Sequence, residues 1–365
     1  MRIGIITLPL HINYGGILQA YALQITLKNL GHQSYIIEEK KTKRKGIIFI
    51  VKTFLKFILY PFRNYFGPQI KRTYEREAIN KYCQKFIKNN INTKYVSNLR
   101  HISPNKFDCL IAGSDQVWRP LYFKNIENAF FSFAENWNIR RIAYAVSFGV
   151  NSWEYTEEQT KTCLKLIKKF NALSFRERSG VLLCKNNFHR DSIQVIDPTM
   201  LLDRTNYIQL FSCVRNYTSP GNLMVYFIND SVKNNEFVDN VSNKKNMIPF
   251  RVYGKALDNT LPLSQRVQPP VEQWLKGFYD AELVITDSFH ACVFSIIFNK
   301  PFWVLPNNSG GLSRIESLLS TFNLEDCLIR DPNSIPHVSF NFNEINSKLE
   351  QLKKESLSFL IQALK

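Results

Sequence analysis

The amino-acid sequence predicts an α/β protein with two Rossmann-like domains that face each other across a cleft. Short apolar runs alternate with longer amphipathic segments, a pattern typical of parallel sheets whose strands are joined by helices. A fresh series of such units begins near residue 203, which places a second domain there. The 365 residues, 45% of them hydrophobic, suffice for two separate cores.

The first predicted domain spans residues 1–203, and its strands are short apolar runs that end at polar or glycine-containing loops. These runs lie at 3–7, 35–37, 109–112, 142–146, 172–175 and 193–196. Apolar residues at helical spacing predict one helix from residue 17 to about residue 31 and another over 156–170. Residues 40–100 are predicted to be a basic insertion with helices at 47–60 and 71–89.

The second predicted domain spans residues 204–340 and repeats the alternation. Its strands are predicted at 223–228, 250–253, 283–285 and 302–305. Val271, Trp274 and Phe278 lie on one face of a predicted helix, and further helices follow residue 291 and surround residue 315. Residues 341–365 form an amphipathic helix that we expect to pack back on the first domain.

The net charge of +17 is concentrated in the insertion. Residues 40–100 contain 16 basic residues against Glu75 and Glu77, whereas the remainder of the chain is close to neutral. Because the charge belongs to one segment, we expect no nucleic-acid partner. Residues 40–65 carry an apolar helical face flanked by Lys and Arg, which suits docking on an anionic membrane surface. A lid packed over the cleft is the alternative.

The sequence points to a cytoplasmic protein without a cofactor. Seven cysteines with no CxxC pair and six scattered histidines predict neither a disulfide framework nor a metal site. No run of about 20 residues is apolar enough to span a bilayer, and the N-terminus does not resemble a signal peptide. The glycine patterns of dinucleotide sites and P-loops are also absent from the sequence. Peripheral attachment to the inner face of the membrane stays open.

The loops that follow the predicted strands contain the residues with useful chemistry. Ligands of open α/β sheets bind beyond the carboxyl ends of the strands, so these loops are expected to meet. Helix N-termini and arginines suit an anionic substrate, and an aromatic face suits a sugar ring. The residues concerned are Asn13, Tyr14, Gly15, Asp115, Gln116, Trp118, Arg176, Arg178, Ser288, Phe289, His290 and Arg314.

Several of these residues have two interpretations. His290 opens a predicted helix and is either a general acid/base or a packed or capping histidine. Asp115 either accepts a substrate hydroxyl proton or caps a turn. Trp118 is either a sugar platform or a core residue. Arg176 and Arg178 either clamp oxyanions together or are solvated surface arginines.

Six ordered segments of the chain resemble the polysaccharide pyruvyl transferase family. They are 3–23 with its Asn-Tyr-Gly loop, 113–118 (GSDQVW), 144–149 (YAVSFG), 174–179 (SFRERS), 197–199 (DPT) and 286–290 (TDSFH). The resemblance continues to 314–319 (RIESLL) and covers most of residues 1–320 outside the insertion.

This resemblance implies a fold similar to the two-domain B-type glycosyltransferases. It implies transfer of a pyruvyl group from phosphoenolpyruvate to two hydroxyls of a galactose- or mannose-type glycan, which is either lipid-linked or free. The product would be a ketal in a bacterial surface polysaccharide such as a capsule, an exopolysaccharide or a cell-wall glycan. No cofactor is implied, since phosphoenolpyruvate is itself the donor.

The resemblance also implies roles for individual residues. His290 would be the general acid/base near phosphoenolpyruvate, and Arg176 would bind its phosphate or carboxylate, with Phe289 beside it. Many members of the family have an arginine where this chain has Ser288, a residue that also suits a helix N-cap. Either Arg178 or Arg314 supplies the missing charge, or the donor differs. The acceptor would contact Asn13, Tyr14, Gly15, Gln116 and Trp118.

Two other functions compete with pyruvyl transfer. A glycosyltransferase that uses a nucleotide-sugar would have the same fold. A non-catalytic glycan-binding or scaffold protein would keep the fold without a need for His290.

Overall fold

A computed structural model of the protein describes residues 1–39, 63–212, 217–306, 311–331, 335–336 and 338–365, with only the backbone described for 63–73. The predicted helix at 47–60 and nearly all of the predicted docking segment 40–65 lie outside the described residues. The other predicted elements can be compared directly with the structure.

Seven of the described strands form a parallel sheet in the order β3-β2-β1-β4-β5-β6-β7. These strands are β1 (Arg2–Ile6), β2 (Gln33–Glu39), β3 (Thr93–Val96), β4 (Cys109–Ala112), β5 (Arg140–Val146), β6 (Ala172–Phe175) and β7 (Ile193–Gln194). The central strands are buried apolar runs, as a sheet covered on both faces requires. The edge strand β3 was not predicted, because its residues are half-exposed and form no apolar run.

Helices join the strands of this sheet. The described helices are α1 (Tyr14–Asn29), α2 (Arg63–Asn90), α3 (Ile126–Ala129), α4 (Glu157–Ile167), α5 (Arg178–Phe188) and α6 (Arg204–Ser212). Asn13 caps α1 by accepting a hydrogen bond from the Gly16 amide at 3.2 Å. Thr156 and Gln159 form a capping box at the start of α4. The predicted helix at 71–89 is the second part of α2.

A second parallel sheet of four described strands has the order β11-β10-β8-β9. Its strands are β8 (Leu223–Tyr226), β9 (Pro249–Phe250), β10 (Leu283–Thr286) and β11 (Phe302–Val304). The helices of this part are α7 (Val232–Lys245), α8 (Leu263–Arg266), α9 (Val271–Asp280), α10 (Phe289–Ile297), α11 (Leu312–Thr321) and α12 (Phe342–Leu364). The α/β class with two parallel sheets is therefore confirmed, whereas the domain boundary at residue 203 stays a prediction.

The two sheets are held together by contacts at the start of α1 and by others that involve the helix that holds Ser317. The Tyr14 hydroxyl donates a hydrogen bond to the Pro269 carbonyl at 2.8 Å, and its ring stacks on Trp274 at 5.3 Å. The amide of Arg178 and the side chain of Gln194 both bond to the Ser317 hydroxyl. One apolar cluster contains residues from both halves of the chain.

The last helix, α12, contacts the first sheet. The Ser356 hydroxyl accepts a hydrogen bond from the Ile196 amide at 3.1 Å, and Arg140 bonds to the Ala363 carbonyl at 3.1 Å. Lys353 forms an ion pair with Asp203 at 2.7 Å. The chain therefore returns to the first sheet after it completes the second.

No helix within the described part of the chain combines the length and apolarity needed to cross a bilayer. Membrane docking through residues 40–65 stays a prediction.

Candidate active site

A buried network of charged residues occupies the carboxyl edge of the first sheet, at its junction with the second. Arg176, which follows β6, forms ion pairs with Asp197 at 3.0 Å and Asp115 at 3.1 Å. Its side chain is 0% exposed. Burial lowers the pKa of Arg176, but the carboxylates of Asp115, Asp197 and Glu177 outweigh it and raise the pKa above its usual value. Arg176 is therefore a fixed cation inside the protein.

Asp115 lies in the loop after β4 and has a left-handed backbone conformation, with φ of 77°. Its carboxylate accepts hydrogen bonds from Arg176 and from the Gln116 amide at 2.9 Å. Burial raises the pKa of Asp115, but Arg176, His290 and Arg314 together bring it below the usual value. The carboxylate is thus ionised at neutral pH. Asp115 therefore caps its own turn, as one interpretation of the sequence expected, whereas its acceptance of a substrate proton stays a prediction.

Asp197 follows β7 and connects the network to His290. Its carboxylate accepts hydrogen bonds from Ser114 at 2.8 Å and from the Thr199 hydroxyl at 2.7 Å. His290 Nε2 lies 3.7 Å from the same carboxylate. Burial opposes ionisation of Asp197, but His290 and Arg176 lower its pKa far below the usual range. Asp197 is therefore a permanent anion beside the histidine ring.

His290 comes from the second sheet and reaches the first across the junction. It lies in the first turn of α10, directly after β10, and only 6% of the residue is exposed. Its Nε2 atom is buried and has no hydrogen-bond partner among the described residues. A Cβ atom added to Gly15 would overlap the imidazole ring, so α1 begins directly against His290. The ring has one nitrogen near Asp197 and no bond that a reacting group would have to displace.

Arg314, in the first turn of α11, also lies near the Phe289 ring. The Phe289 ring is 4.6 Å from the Arg176 guanidinium and 5.9 Å from that of Arg314. Burial and the neighbouring Arg176 lower the pKa of Arg314 to about 10, so it stays protonated at neutral pH. Unlike Arg176, the residue is half-exposed and forms no ion pair within the described residues, although the Nε atoms of both arginines are buried and unpaired there. Arg314 is thus a charged donor with spare hydrogen-bonding capacity.

Arg178 does not join this network. It is exposed at the start of α5, and only its backbone amide has a bond across the junction, to Ser317 at 3.1 Å. A clamp formed jointly by Arg176 and Arg178 is therefore wrong, because the two side chains lie in different environments.

Ser288 occupies the N-cap position of α10 as expected, but its hydroxyl makes no capping bond. Its amide bonds instead to the Thr286 hydroxyl at 3.0 Å.

Two predicted acceptor residues are core residues. Trp118 is 0% exposed, stacks on Phe130 at 4.3 Å and donates a hydrogen bond to the Ala129 carbonyl. The sugar-platform interpretation of Trp118 is therefore wrong. Tyr14 is also 0% exposed, and its hydroxyl is bonded across the junction to Pro269. Neither ring has a free face for a sugar.

The remaining predicted acceptor residues surround the start of α1 and the loop after β4. Asn13 is exposed but uses its carbonyl oxygen to cap α1. Gly15 permits the approach of His290. Gln116 is half-buried and accepts a hydrogen bond from Arg119 at 3.3 Å. Contact of these three residues with an acceptor stays a prediction.

Sequence reasoning gave no role to Asp197 or Glu177. Both are 0% exposed carboxylates beside Arg176, and burial raises the pKa of Glu177. A signal for Asp197 was present, because it directly follows a predicted strand at the edge where ligands bind. Within the described residues, no group of three or more His, Cys, Asp or Glu side chains could hold a metal ion.

A family model described as polysaccharide pyruvyl transferase matches residues 13–309. This chain belongs to the polysaccharide pyruvyl transferase family. The match includes Gly15, Asp115, Asp197 and His290, whereas Arg314 lies just beyond its end. Membership in this family identifies the chain as a transferase of polysaccharide biosynthesis. The comparison with curated protein sequences yields no match.

Solved structures confirm the overall fold of this family member. A Staphylococcus aureus MnaA structure with UDP is 12% identical, with a TM-score of 0.51 over 96% of this chain and 87% of that chain. The UDP-GlcNAc 2-epimerase of Neisseria meningitidis bound to UDP-GlcNAc is 9% identical, with a TM-score of 0.51 over 100% and 99% of the two chains. These likenesses show the fold of B-type glycosyltransferases and related epimerases.

Proposed function

We propose that this protein transfers a pyruvyl group from phosphoenolpyruvate to two hydroxyls of a glycan and thereby forms a ketal in a bacterial surface polysaccharide. The observation that carries the proposal is the meeting of His290, Asp197 and Asp115 with the half-exposed Arg314 at the junction of the two sheets. Such a site combines a titratable group with a cation for an anionic donor. Membership in the pyruvyl transferase family supports the same chemistry.

The reaction needs a proton donor and a proton acceptor. A proton is added to the methylene carbon of phosphoenolpyruvate, and a sugar hydroxyl attacks C2 and loses its own proton. The bond between C2 and the phosphate oxygen then breaks, and inorganic phosphate leaves. A second hydroxyl attacks C2 and loses its proton, which completes the ketal. One of the two hydroxyl protons replaces the proton given to the methylene carbon, and the departing phosphate takes up the other. We assign His290 as the proton donor and acceptor, since its Nε2 has no hydrogen-bond partner among the described residues and lies 3.7 Å from the Asp197 carboxylate.

The donor carries phosphate and carboxylate groups, so it needs cations or amide donors. Arg314 is the arginine that we assign to this task, because the residue is half-exposed and its guanidinium forms no ion pair within the described residues. The N-terminus of α10, which holds Phe289 and His290, adds backbone N–H groups that favour an anion. Arg314 thus replaces the family arginine whose position is taken by Ser288.

Arg176 has a different task in this proposal. Its guanidinium is already bonded to two carboxylates and has no exposed surface, so it holds Asp115 and Asp197 in place rather than binding the donor. Asp115 would then orient an acceptor hydroxyl or accept its proton.

The acceptor is a galactose- or mannose-type glycan. We retain a cytoplasmic location with docking to the inner membrane face, which the basic segment 40–65 supports.

The test is an incubation of the purified protein with phosphoenolpyruvate and a panel of galactosides and mannosides. We expect release of inorganic phosphate and a mass increase of the glycan equal to one pyruvyl ketal. His290→Ala should abolish both, whereas His101→Ala, at an exposed histidine away from the junction, should change neither. Unchanged ketal formation by His290→Ala would remove the catalytic assignment.

Nucleotide-sugar transfer is the second candidate, and one observation favours it. The similar solved structures from S. aureus and N. meningitidis contain UDP and UDP-GlcNAc. The same incubation with UDP-sugars decides between the two functions. Release of UDP without consumption of phosphoenolpyruvate would replace pyruvyl transfer, and glycan binding with neither release would indicate a scaffold.

A further inference from the structure

A cavity of about 870 Å³ opens at the carboxyl ends of β1 and β2 and is bounded on its other sides by α2 and the start of α3. Its floor includes Thr7, and its rim includes Glu39, Tyr122 and Asn125. None of the residues predicted to bind the acceptor lines it. Its volume is typical of a ligand site and exceeds what one small donor requires.

Two routes connect this cavity to the network around Arg176. On the floor, the Thr7 hydroxyl donates a hydrogen bond to the Ser114 carbonyl at 3.0 Å, and the Ser114 hydroxyl bonds to Asp197 at 2.8 Å. On the rim, the Tyr122 ring lies 5.0 Å from the guanidinium of Arg119, which in turn bonds to Gln116. The lining of the cavity is therefore in direct contact with residues that hold the proposed reaction site in place.

Tyr122 also approaches Arg314, the proposed donor ligand. Burial is the main influence on the pKa of Arg314, but Tyr122 is close enough to raise it. The Tyr122 ring thus lines the cavity and also packs against Arg119, next to the loop that holds Gln116 and Asp115. Because 47% of this tyrosine is exposed, its ring has a face free for a ligand.

The walls of the cavity suit a neutral ligand with many hydroxyls. The side-chain amides of Asn80 and Asn125 make no hydrogen bond within the described residues. Asn125 is the N-cap residue of α3, but its side chain makes no capping hydrogen bond. The lining side chains include three carboxylates and two cations, namely Glu38, Glu39 and Glu77 and then Arg76 and Lys124. This balance disfavours a multiply charged anion such as phosphoenolpyruvate. Amides, carboxylates and an aromatic face are the groups that hold sugar rings.

We propose that this cavity holds the non-reducing end of the acceptor glycan, with Tyr122 packed against a sugar ring and with Asn80 and Asn125 bonded to its hydroxyls. The proposal rests on the proposed function, because that function makes the bound glycan the acceptor rather than a product or a regulator. It replaces Tyr14 and Trp118 as acceptor residues. The terminal sugar would lie at the Tyr122 end, where two of its hydroxyls can reach the donor beside Arg314.

The experiment measures glycan binding without donor, by saturation-transfer NMR with a panel of galactose- and mannose-terminated oligosaccharides. Tyr122→Ala and Asn125→Ala should each weaken binding of the best oligosaccharide by roughly tenfold, which corresponds to the loss of one stacking or hydrogen-bonding contact. Tyr279→Ala is the matched control, since Tyr279 is 44% exposed and its ring also lies beside a cation, Lys276, but on α9. It should bind the oligosaccharide as the unaltered protein does.

Separate titrations with phosphoenolpyruvate distinguish this proposal from the proposed function. Asn125→Ala should bind phosphoenolpyruvate within about twofold of the unaltered protein. Failure of phosphoenolpyruvate to bind any variant, with oligosaccharide binding still dependent on Tyr122 and Asn125, would overturn pyruvyl transfer but keep the cavity as a glycan site. Oligosaccharide binding that neither substitution weakens, or no binding by the whole panel, would overturn the cavity assignment.

Discussion

Three arginines lie close together in the sequence or in space, and their surroundings give them different capacities for binding a ligand. Arg176 is enclosed by carboxylates, Arg178 is exposed away from His290, and Arg314 is half-exposed beside Phe289. A buried guanidinium that already has two charged partners cannot release them without leaving a carboxylate unpaired, which is costly. We therefore assign the binding of an anionic donor to Arg314.

We predict that Arg314→Ala raises the KM for phosphoenolpyruvate by about ten- to a hundredfold, because a hydrogen bond to a charged group is worth roughly 1.5–3 kcal/mol. Arg178→Ala is the matched control and should leave KM unchanged. The measurement is the initial rate of phosphate release against donor concentration. A large rise in KM for Arg178→Ala, with Arg314→Ala unaffected, would reverse the assignment.

At the level of elements, the site depends on how closely α1 and α10 approach. The first turn of α1 packs against the imidazole ring in the first turn of α10, and only a residue without a Cβ fits at Gly15. Helix α1 itself is fixed by the Asn13 cap and by the bond from Tyr14 to Pro269. The position of His290 is therefore set by two helices that belong to different sheets.

We predict that Gly15→Ala destabilises the protein by about 1–3 kcal/mol, the usual cost of forcing an extra group into a packed site. The cost should fall by about 1 kcal/mol or more when His290 is also alanine, since the overlapping ring is then absent and only the Cβ of residue 290 still crowds the added methyl group. Urea unfolding of the two single variants and the double variant measures this coupling. Equal destabilisation by Gly15→Ala in both backgrounds would show that the ring does not limit the space.

The elements of the fold were largely predictable because buried parallel strands are apolar runs that end at turn residues. Strands β4 and β6 lie where these runs predicted them, at 109–112 and 172–175. Edge strands were harder to predict from the sequence, since their half-exposed residues lack such an apolar run. Strand β3 was missed, and β9 covers only Pro249–Phe250 instead of 250–253.

The site was predictable to the level of its loops but not of its side chains. Because ligands of open α/β sheets bind beyond the carboxyl ends of the strands, the sequence pointed to the loops that hold Asp115, Arg176 and His290. These residues do lie close together in the structure. Which side chain faces the cleft depends on packing against distant parts of the chain. Trp118 is enclosed by aromatic rings from several other segments, and Arg176 by carboxylates from two other loops. No local spacing reveals such partners.

On the scale of the whole molecule, the basic insertion begins beside the proposed acceptor cavity and contributes to its lining. Glu39, the last residue of β2, lines that cavity, and so does Arg76 on α2. The basic run of the insertion starts at the next residue, Lys40. A membrane that attracts this run would therefore lie near the cavity, which suits a lipid-linked acceptor.

We predict that replacement of Lys40, Lys41, Lys43, Arg44 and Lys45 by glutamine weakens association with vesicles containing phosphatidylserine by at least about a hundredfold. Each basic residue near an anionic surface contributes about 1 kcal/mol, so five together exceed that factor. Replacement of five exposed lysines elsewhere, Lys161, Lys165, Lys168, Lys185 and Lys244, removes the same charge and is the control. Co-sedimentation at several salt concentrations measures the effect, which added salt should diminish. If the insertion is instead a lid, vesicle binding will be equal in the two variants, and only the glutamine variant of residues 40–45 will change the KM for a soluble oligosaccharide.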